Sequence, residues 1–232
     1  MEQRIEPKIG IVIVAGGSGT RIGGTKPKQF QIIGQRPILA YTIDLFSRAL
    51  PTAEIVVVLA KDMIEYWQNL AARFDVAKHK TVIGGAERFD SVKCGVIALS
   101  DDVEIIGVHD GARPFCSVEL VKRCLHCALS SGSAIPVVNV SDSLREVCSD
   151  GGSKAIDRSS IRAVQTPQMF DAITLRRAYN QPYKSTFTDD ASLVEGIGEK
   201  VWLCDGESQN IKITTREDLI LAQRILEDID NE

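Results

Sequence analysis

The sequence lacks a long hydrophobic run, an excess of basic residues and any repeated or low-complexity tract. The apolar stretch at residues 9–15 is far shorter than the roughly 20 residues that a membrane-spanning helix requires. The segment before it is charged and has no hydrophobic region of the kind found in a signal peptide. We therefore predict a cytoplasmic protein with no membrane partner.

Strong charge of one sign is also missing. The 31 acidic residues outnumber the 27 basic residues, which gives a formal net charge of −4. A chain with this balance has no overall electrostatic footprint for nucleic acid. We predict no nucleic-acid partner, and an anionic ligand must be held by a local cluster of cations.

The cysteine pattern fits neither a disulfide framework nor a zinc site. The six cysteines are irregularly spaced in a chain of 232 residues, which is long enough to bury a core without crosslinks. Cys124 and Cys127 form a CxxC pair inside a segment with helical apolar spacing, and no second pair completes four zinc ligands. We predict reduced thiols, with these two on a helix.

Short β-branched runs alternate with amphipathic segments along most of the chain. This alternation predicts βαβ units on a mostly parallel sheet, and we interpret residues 1–232 as one α/β domain. The predicted strands are residues 10–15, 54–60, 80–83, 104–109, 133–140 and 200–204. The predicted helices are residues 37–49, 88–99, 117–129 and 215–229.

One segment breaks this alternation. Residues 137–168 have a strand-like pattern, with turn-forming residues at 149–152 between two short apolar runs. We predict an antiparallel β arm, at about residues 137–165, inserted into the sheet protein.

The first predicted strand runs directly into a glycine-rich segment that contains Arg21 and precedes Lys26 and Lys28. Small residues at the carboxyl end of a strand let backbone N–H groups face an anion. Ile22 stands where a dinucleotide-binding fingerprint needs its third glycine, and Thr25-Lys26 does not match the order of a P-loop. The three cations favour a polyphosphate ligand, and an ordinary exposed turn is the alternative.

A second charged segment, residues 108–114, follows another apolar strand. Its Asp110 is a candidate ligand of Mg²⁺, which binds one or two carboxylates together with substrate phosphate oxygens. The alternative is that Asp110 caps the helix that begins near Ser117. We interpret His109 as a packed, hydrogen-bonded residue, which is the commoner role for a single histidine at a strand end.

Six motifs occur in the order found in one enzyme family. They are residues 15–21 (AGGSGTR), 27–29 (PKQ), 109–114 (HDGARP), 166–168 (TPQ), 188–189 (TD) and 210–212 (NIK). Together they resemble the 2-C-methyl-D-erythritol 4-phosphate cytidylyltransferases over nearly the whole chain. The resemblance implies a three-layer α/β/α, Rossmann-like nucleotidyltransferase domain whose arm builds a homodimer. It also implies transfer of the cytidylyl group from CTP to a polyol phosphate, with Mg²⁺ as cofactor and pyrophosphate as the second product.

The resemblance also assigns roles to individual residues. Arg21 and Lys28 match positions that stabilise the transition state, Asp110 matches the metal-associated carboxylate, and Arg158 and Lys212 match cations for the acceptor phosphate. Arg158 is expected to act in the site of the partner subunit. The nucleotide is expected to contact Ala15, Gly16, Gly17, Ser18, Gly19, Thr20, Gly85 and Ser91. The acceptor is expected to lie near Arg113, Ser143, Thr166 and Thr188.

Two positions depart from the pattern of some relatives. Gln209 replaces an acidic residue before the NIK motif, so Asp110 is expected to hold Mg²⁺ with only CTP phosphates and water. Ala86 replaces a polar residue near the cytosine site, so that contact is not expected.

Two other functions are compatible with parts of the sequence. A ribitol-5-phosphate cytidylyltransferase shares the first loop and the NIK motif, but residues 188–193 (TDDASL) favour methylerythritol phosphate as the acceptor. A catalytically inactive nucleotide-binding module would be expected to lack Arg21, Lys28 or Asp110, and all three are present.

Overall fold

The computed structural model describes residues 7–17 and 27–230. In chain order, the elements within these ranges are β1 (Ile9–Val14), β2 (Ile32–Ile33), β3 (Arg36–Pro37), α1 (Ile38–Ala49), β4 (Glu54–Leu59), α2 (Ile64–Arg73), β5 (Lys80–Ile83), α3 (Arg88–Ala98), β6 (Ile105–Asp110), α4 (Val118–Ser131), β7 (Ser133–Asn139), β8 (Leu144–Val147), β9 (Ser153–Ile156), β10 (Arg162–Val164), β11 (Gln168–Asp171), α5 (Ala172–Ala178), α6 (Asp190–Glu195), β12 (Leu203–Asp205) and α7 (Arg216–Asp230).

An eight-stranded sheet forms the centre of the molecule, in the order β10-β7-β11-β6-β1-β4-β5 with β12 paired to β7. Strand β1 lies between β4 and β6 and is parallel to both, and β5 extends this parallel half. Strand β11 is antiparallel to β6 and β7, while β12 is parallel to β7. The mostly parallel sheet predicted from the sequence is confirmed, with antiparallel pairing confined to β10 and β11.

Alternation along the central strands creates a core on each face of the sheet. Ile11 and Ile13 of β1 pack with α1, α2 and α4, whereas Val12 packs on the opposite face with α3 and α5. Successive side chains of a strand point to opposite faces, so a strand that is apolar at every position requires helices on both sides. The result is the three-layer α/β/α fold.

Helix α7 closes a smaller third core. Its Ala222 and Ile225 pack with Ile33, Ile38 and Ile213. The helix starts as the sequence predicts, because the backbone N–H of Asp218 donates to the Thr215 hydroxyl at 3.2 Å and the carboxylate of Asp218 accepts from the backbone N–H of Thr215 at 2.8 Å.

The predicted strands and helices are present with boundaries shifted by a few residues. Helix α2 was missed, although Ile64, Trp67 and Leu70 recur at helical spacing and pack on the core. The short strands β2, β3 and β11 and helices α5 and α6 were also missed. All six cysteines are free, and Cys124 and Cys127 lie on α4 as predicted.

The predicted arm has two parts. Strands β8 and β9 form a separate two-stranded hairpin, whereas β10 returns to pair with the end of β7 in the large sheet. The division of the chain into one domain with a dimerising arm stays a prediction. Over the described ranges, no helix is long and apolar enough to cross a membrane.

Candidate active site

The carboxyl ends of β1 and β6 bring the two predicted segments together. Val14 is the register partner of Asp110, and the N–H of Gly111 donates to the Val14 carbonyl at 2.9 Å. Beside this edge lies a cavity of about 420 Å³, which we call the nucleotide cavity. Its lining includes Ala15, Gly16, Gly17, Lys28, Gly85, Ala86, Arg88, Ser91, Asp110 and Lys212.

The described start of the glycine-rich segment, residues 15–17, is held by Gln29, for which the sequence indicated no role of its own. The buried amide of Gln29 donates to the carbonyl of Ala15 at 2.5 Å and to that of Gly17 at 3.3 Å. These contacts tie the end of β1 to the short 3-10 turn at Lys28–Phe30, which carries Lys28 to the cavity. The only signal in the sequence was its place in the PKQ motif.

The remaining loop residues lie outside the described part of the chain. They are Ser18, Gly19, Thr20, Arg21 and Lys26. The roles given to them by the resemblance stay predictions.

Gly85 precedes α3 and Ser91 lies near the start of that helix, and both line the nucleotide cavity. The Ser91 hydroxyl donates to the Gly85 carbonyl at 3.4 Å. A Cβ on Gly85 would lie 2.2 Å from the Cβ of Asp90, so only glycine fits without a local shift. Glu87 and Asp90 form a capping box that fixes this first turn.

The Asp110 carboxylate is ionised and held by two cations. Its Oδ2 lies 3.2 Å from Nε of Arg113 and 3.0 Å from Nζ of Lys212. Burial by itself would raise the pKa of Asp110, but Lys212, Arg88 and Arg113 hold that pKa well below its usual range. Asp110 does not cap α4, because the side chain of Ser117 does so by accepting from the N–H of Leu120.

The donor set at Asp110 fits a cation that is shared with a substrate. Within the described ranges, no cluster of three or more His, Cys, Asp or Glu residues could enclose a metal ion. A single ionised carboxylate suits Mg²⁺, which keeps several waters and completes its shell with phosphate oxygens. Gln209 is exposed and adds no carboxylate.

His109 is a neutral structural residue, in agreement with the interpretation from sequence. Burial lowers its pKa to about 4. Its Nε2–H donates to the Arg113 carbonyl at 3.1 Å, and its Nδ1 accepts from the Thr166 hydroxyl at 3.0 Å. The Thr166 oxygen also accepts from the N–H of Asp110 at 3.1 Å, so Thr166 links the two neighbouring residues of β6.

A second cavity of about 300 Å³ adjoins the first, and we call it the acceptor cavity. Its lining includes the predicted acceptor residues Arg113, Thr166 and Thr188. The guanidinium of Arg113 also donates to the Asn210 carbonyl at 2.8 Å, which fixes it against the NIK motif. Arg88, Asp110 and Lys212 line both cavities.

Ser143 and Arg158 lie elsewhere, on the arm. They line a separate cavity of about 470 Å³ between the hairpin strands and the turn that follows β9. Nη1 of Arg158 donates to the Ser141 carbonyl. Neither Ser143 nor Arg158 is among the residues that line the two strand-end cavities, so a single chain does not bring them to Asp110 and Lys212.

The structure combines a three-layer α/β fold and a glycine-rich strand end with two adjoining cavities that are lined by an ionised carboxylate and several cations. This combination is that of a nucleotidyltransferase. The chain belongs to the 2-C-methyl-D-erythritol 4-phosphate cytidylyltransferase family, whose model matches residues 9–228. A relative of that name from Bacteroides fragilis is 43% identical over 93% of this chain and 98% of its own. One from Porphyromonas gingivalis is 42% identical over 96% and 99% of the two chains.

Solved structures of relatives have the same fold. The 4-diphosphocytidyl-2C-methyl-D-erythritol synthase of Anaerococcus prevotii matches with a TM-score of 0.82 at 31% identity, over 95% of this chain and 99% of that one. The 2-C-methyl-D-erythritol 4-phosphate cytidylyltransferase of Thermus thermophilus matches with a TM-score of 0.74 at 32% identity, over 94% and 98%.

Proposed function

We propose that this protein transfers the cytidylyl group of CTP to 2-C-methyl-D-erythritol 4-phosphate and releases pyrophosphate. The observation that carries the proposal is the pair of adjoining cavities, one beside the glycine-rich strand end and one lined by Arg113, Thr166 and Thr188. The two share cationic side chains where a donor phosphate and an acceptor phosphate would meet.

The reaction joins two phosphates without a proton transfer in the bond-forming step. An oxygen of the acceptor phosphate attacks the α-phosphorus of CTP, and the bond from that phosphorus to the bridging oxygen of the β-phosphate breaks. The electron pair leaves with pyrophosphate. Because the acceptor is already ionised near neutral pH, the site needs alignment and charge stabilisation rather than a strong general base.

The residues divide this work between the two cavities. Ala15, Gly16 and Gly17 would present backbone to the nucleotide, Gly85 and Ser91 would contact the cytosine, and Lys28 would contact the phosphates. Arg21 lies outside the described residues, and its role in stabilising the transition state rests on the family resemblance. Arg113 and Thr188 border the acceptor, and Lys212 stands between the substrates. The ion pair of Lys212 with Asp110 at 3.0 Å holds the ammonium group at this position.

Mg²⁺ is the proposed cofactor, with Asp110 as its protein ligand. When bound, the ion would neutralise charge on the CTP phosphates. Asp110 supports this role because its carboxylate is ionised and close to both cavities.

The arm is proposed to complete the acceptor site of a partner subunit in a cytosolic homodimer. Ser143 and Arg158 are exposed and lie away from the strand-end cavities of their own chain. Arg158 would then supply a bidentate cation to the acceptor phosphate of the partner.

The proposal is tested by pyrophosphate release from purified protein with CTP and each of two acceptors, 2-C-methyl-D-erythritol 4-phosphate and ribitol 5-phosphate. We expect release with the first acceptor, dependence on added Mg²⁺ and loss of release with EDTA. Release with ribitol 5-phosphate alone would assign the other acceptor. Binding of CTP with no release for either acceptor would indicate an inactive nucleotide-binding module.

A further inference from the structure

Arg88 has a position that the assigned roles do not explain. It is the first residue of α3, and its side chain lines both the nucleotide cavity and the acceptor cavity. A cation at the N-terminus of a helix is disfavoured by the helix dipole, which favours anions there. A guanidinium at this place therefore needs anionic partners.

One partner is a carboxylate from a distant part of the chain. Nη2 of Arg88 donates to Oδ2 of Asp190 at 2.6 Å. The other oxygen of this carboxylate, Oδ1, accepts from the Tyr179 hydroxyl at 2.5 Å. Because the two oxygens have different donors, the carboxylate is fixed in orientation and fixes the guanidinium in turn.

The burial of the two partners is unequal. Asp190 is fully buried, whereas the side chain of Arg88 is 33% exposed. A buried carboxylate is costly unless it is paired and hydrogen-bonded, and here both conditions are met. The guanidinium is thus held at its buried edge by Asp190 while the rest of it borders the two cavities, where phosphates would supply the second anionic partner.

We infer that Arg88 is a further catalytic residue that contacts the α-phosphate oxygens of CTP at the boundary of the two cavities, and that Asp190 is its positioning residue. The inference rests on the proposed cytidylyl transfer. Lys28 lines the nucleotide cavity and Arg113 the acceptor cavity, whereas Arg88 borders both. Its charge therefore acts where negative charge is shared between the attacking and leaving groups.

The first test replaces the guanidinium. We expect Arg88→Ala to lower kcat about 100-fold and Arg88→Lys about 10-fold, because a lysine keeps the charge but not the fixed fork. Added guanidinium at low millimolar concentration should restore part of the activity of Arg88→Ala, and the same concentration of sodium chloride should not. A purely structural arginine would show no such rescue of kcat.

The second test releases the guanidinium without removing it. Asp190→Asn should lower kcat roughly 10-fold per CTP-binding site, and Tyr179→Phe should have a smaller effect in the same direction. The matched control is Asp44→Asn. Asp44 pairs with Arg36 through the same atom types at the same distance of 2.6 Å, and the side chain of Arg36 is 32% exposed, but neither residue lines either cavity.

Asp44→Asn should keep the kcat of the wild type even where it lowers Tm. If Asp190→Asn lowers Tm but leaves kcat per CTP-binding site unchanged, Asp190 is structural and the positioning role is wrong. If Arg88→Ala keeps the kcat of the wild type, the catalytic role is wrong while the cytidylyl transfer stands.

A different outcome would separate this inference from the proposed function. If the wild type binds CTP and supports no release with either acceptor, the proposed function fails. The inference is then decided by binding, measured by calorimetry for CTP and by NMR titration for cytidine. Arg88→Ala should weaken CTP about 10-fold and leave cytidine unchanged, and equal affinity of the variant and the wild type for CTP would overturn the contact.

Discussion

At the scale of the residue, two neighbours on β6 differ in charge, one neutral and one ionised, because they face opposite sides of the sheet. His109 points into the layer of α1, where its ring lies 4.9 Å from that of Phe46, and burial keeps it neutral. Asp110 points to the cavities, where Lys212, Arg88 and Arg113 outweigh the effect of burial on its pKa. Alternation along one strand therefore places a structural histidine next to a carboxylate that lines both cavities.

The neutral His109 predicts a stability loss in mild acid. The pKa of His109 is lowered from 6.5 to about 4, so the unfolded chain takes up a proton that the folded protein resists. Stability should fall as the pH drops below the unfolded value and level off below about 4. Between pH 7 and pH 5 the expected loss is about 2 kcal/mol.

The measurement is urea unfolding at both pH values for the wild type and His109→Asn. The variant removes the titrating group, so its stability should change less between pH 7 and pH 5. An equal pH dependence in the two proteins would contradict a buried neutral imidazole.

The charge of Lys28 in the nucleotide cavity is predicted to be needed for catalysis. Lys28→Met keeps the length of the side chain and removes its charge, so kcat should fall by about 100-fold through lost stabilisation of the transition state. Lys93→Met on α3 is the control, because Lys93 is outside the lining of both cavities. The measurement is steady-state pyrophosphate release by both variants. A kcat of Lys28→Met within twofold of the wild type would show that Lys28 is not a catalytic residue.

At the scale of the element, the first turn of α3 shapes the wall of the nucleotide cavity that Gly85 and Ser91 line. The Glu87 and Asp90 capping box fixes the turn, and Gly85 approaches it too closely for a side chain. Gly85 is required because there is no room for a side chain, and not because its backbone has an unusual φ angle.

This close approach predicts a difference between two glycines. Gly85→Ala places a methyl group 2.2 Å from the Cβ of Asp90 and should destabilise the protein by about 1–3 kcal/mol. A Cβ on Gly17 meets no atom of the described residues within 4 Å, so Gly17→Ala should leave the stability of the nucleotide-free protein almost unchanged. Thermal unfolding without CTP compares them, and equal Tm values for the two variants would contradict the steric argument.

At the scale of the whole molecule, the arm exposes apolar side chains that a folded monomer leaves uncovered. Val147 on β8 is 80% exposed and Ile156 on β9 is 37% exposed. The same hairpin carries Arg158 and Ser143 near its base. The arm thus exposes apolar side chains and also carries two polar side chains that lie outside the strand-end cavities of their own chain. Both observations support the proposed homodimer.

The register of the hairpin places Val147 and Ile156 on opposite faces, so charge at both positions tests each face of the arm as an interface and should block assembly. The double variant Val147→Asp, Ile156→Asp is expected to sediment as a monomer, whereas Ile173→Asp on α5, where the side chain is 78% exposed, should keep the state of the wild type. Analytical ultracentrifugation is the measurement. An unchanged sedimentation coefficient for the double variant would show that these two arm residues are not in an interface.

A shared site also predicts rescue between two inactive proteins. In a shared site, Lys28 comes from one chain and Arg158 from its partner. A mixed dimer of Lys28→Met and Arg158→Ala chains should therefore contain one site with both changes and one site with neither. Activity should then rise above the sum of the two separate variants. No rise after exchange has been verified by mass spectrometry would argue that Arg158 acts in its own chain.

The sequence by itself determined the features that depend on local pattern. Apolar alternation and helical spacing predicted β1, β4, β5 and β6 and the long helices α1, α3, α4 and α7, and the ordered motifs indicated the family. The segments around Lys28 and Asp110 could be predicted to share a site, since both follow strands whose carboxyl ends meet at one edge of a sheet.

Only the tertiary structure decided which distant residues meet. Arg88 and Asp190 are separated by 102 positions, and nothing in either segment indicates the other, because the contact depends on how α3 and α6 pack on one face of the sheet. The contacts of Gln29 with the glycine segment and of Thr166 with His109 arise in the same way. Local sequence determines strands, helices and turns, whereas pairing between them depends on the register and layering of the folded sheet.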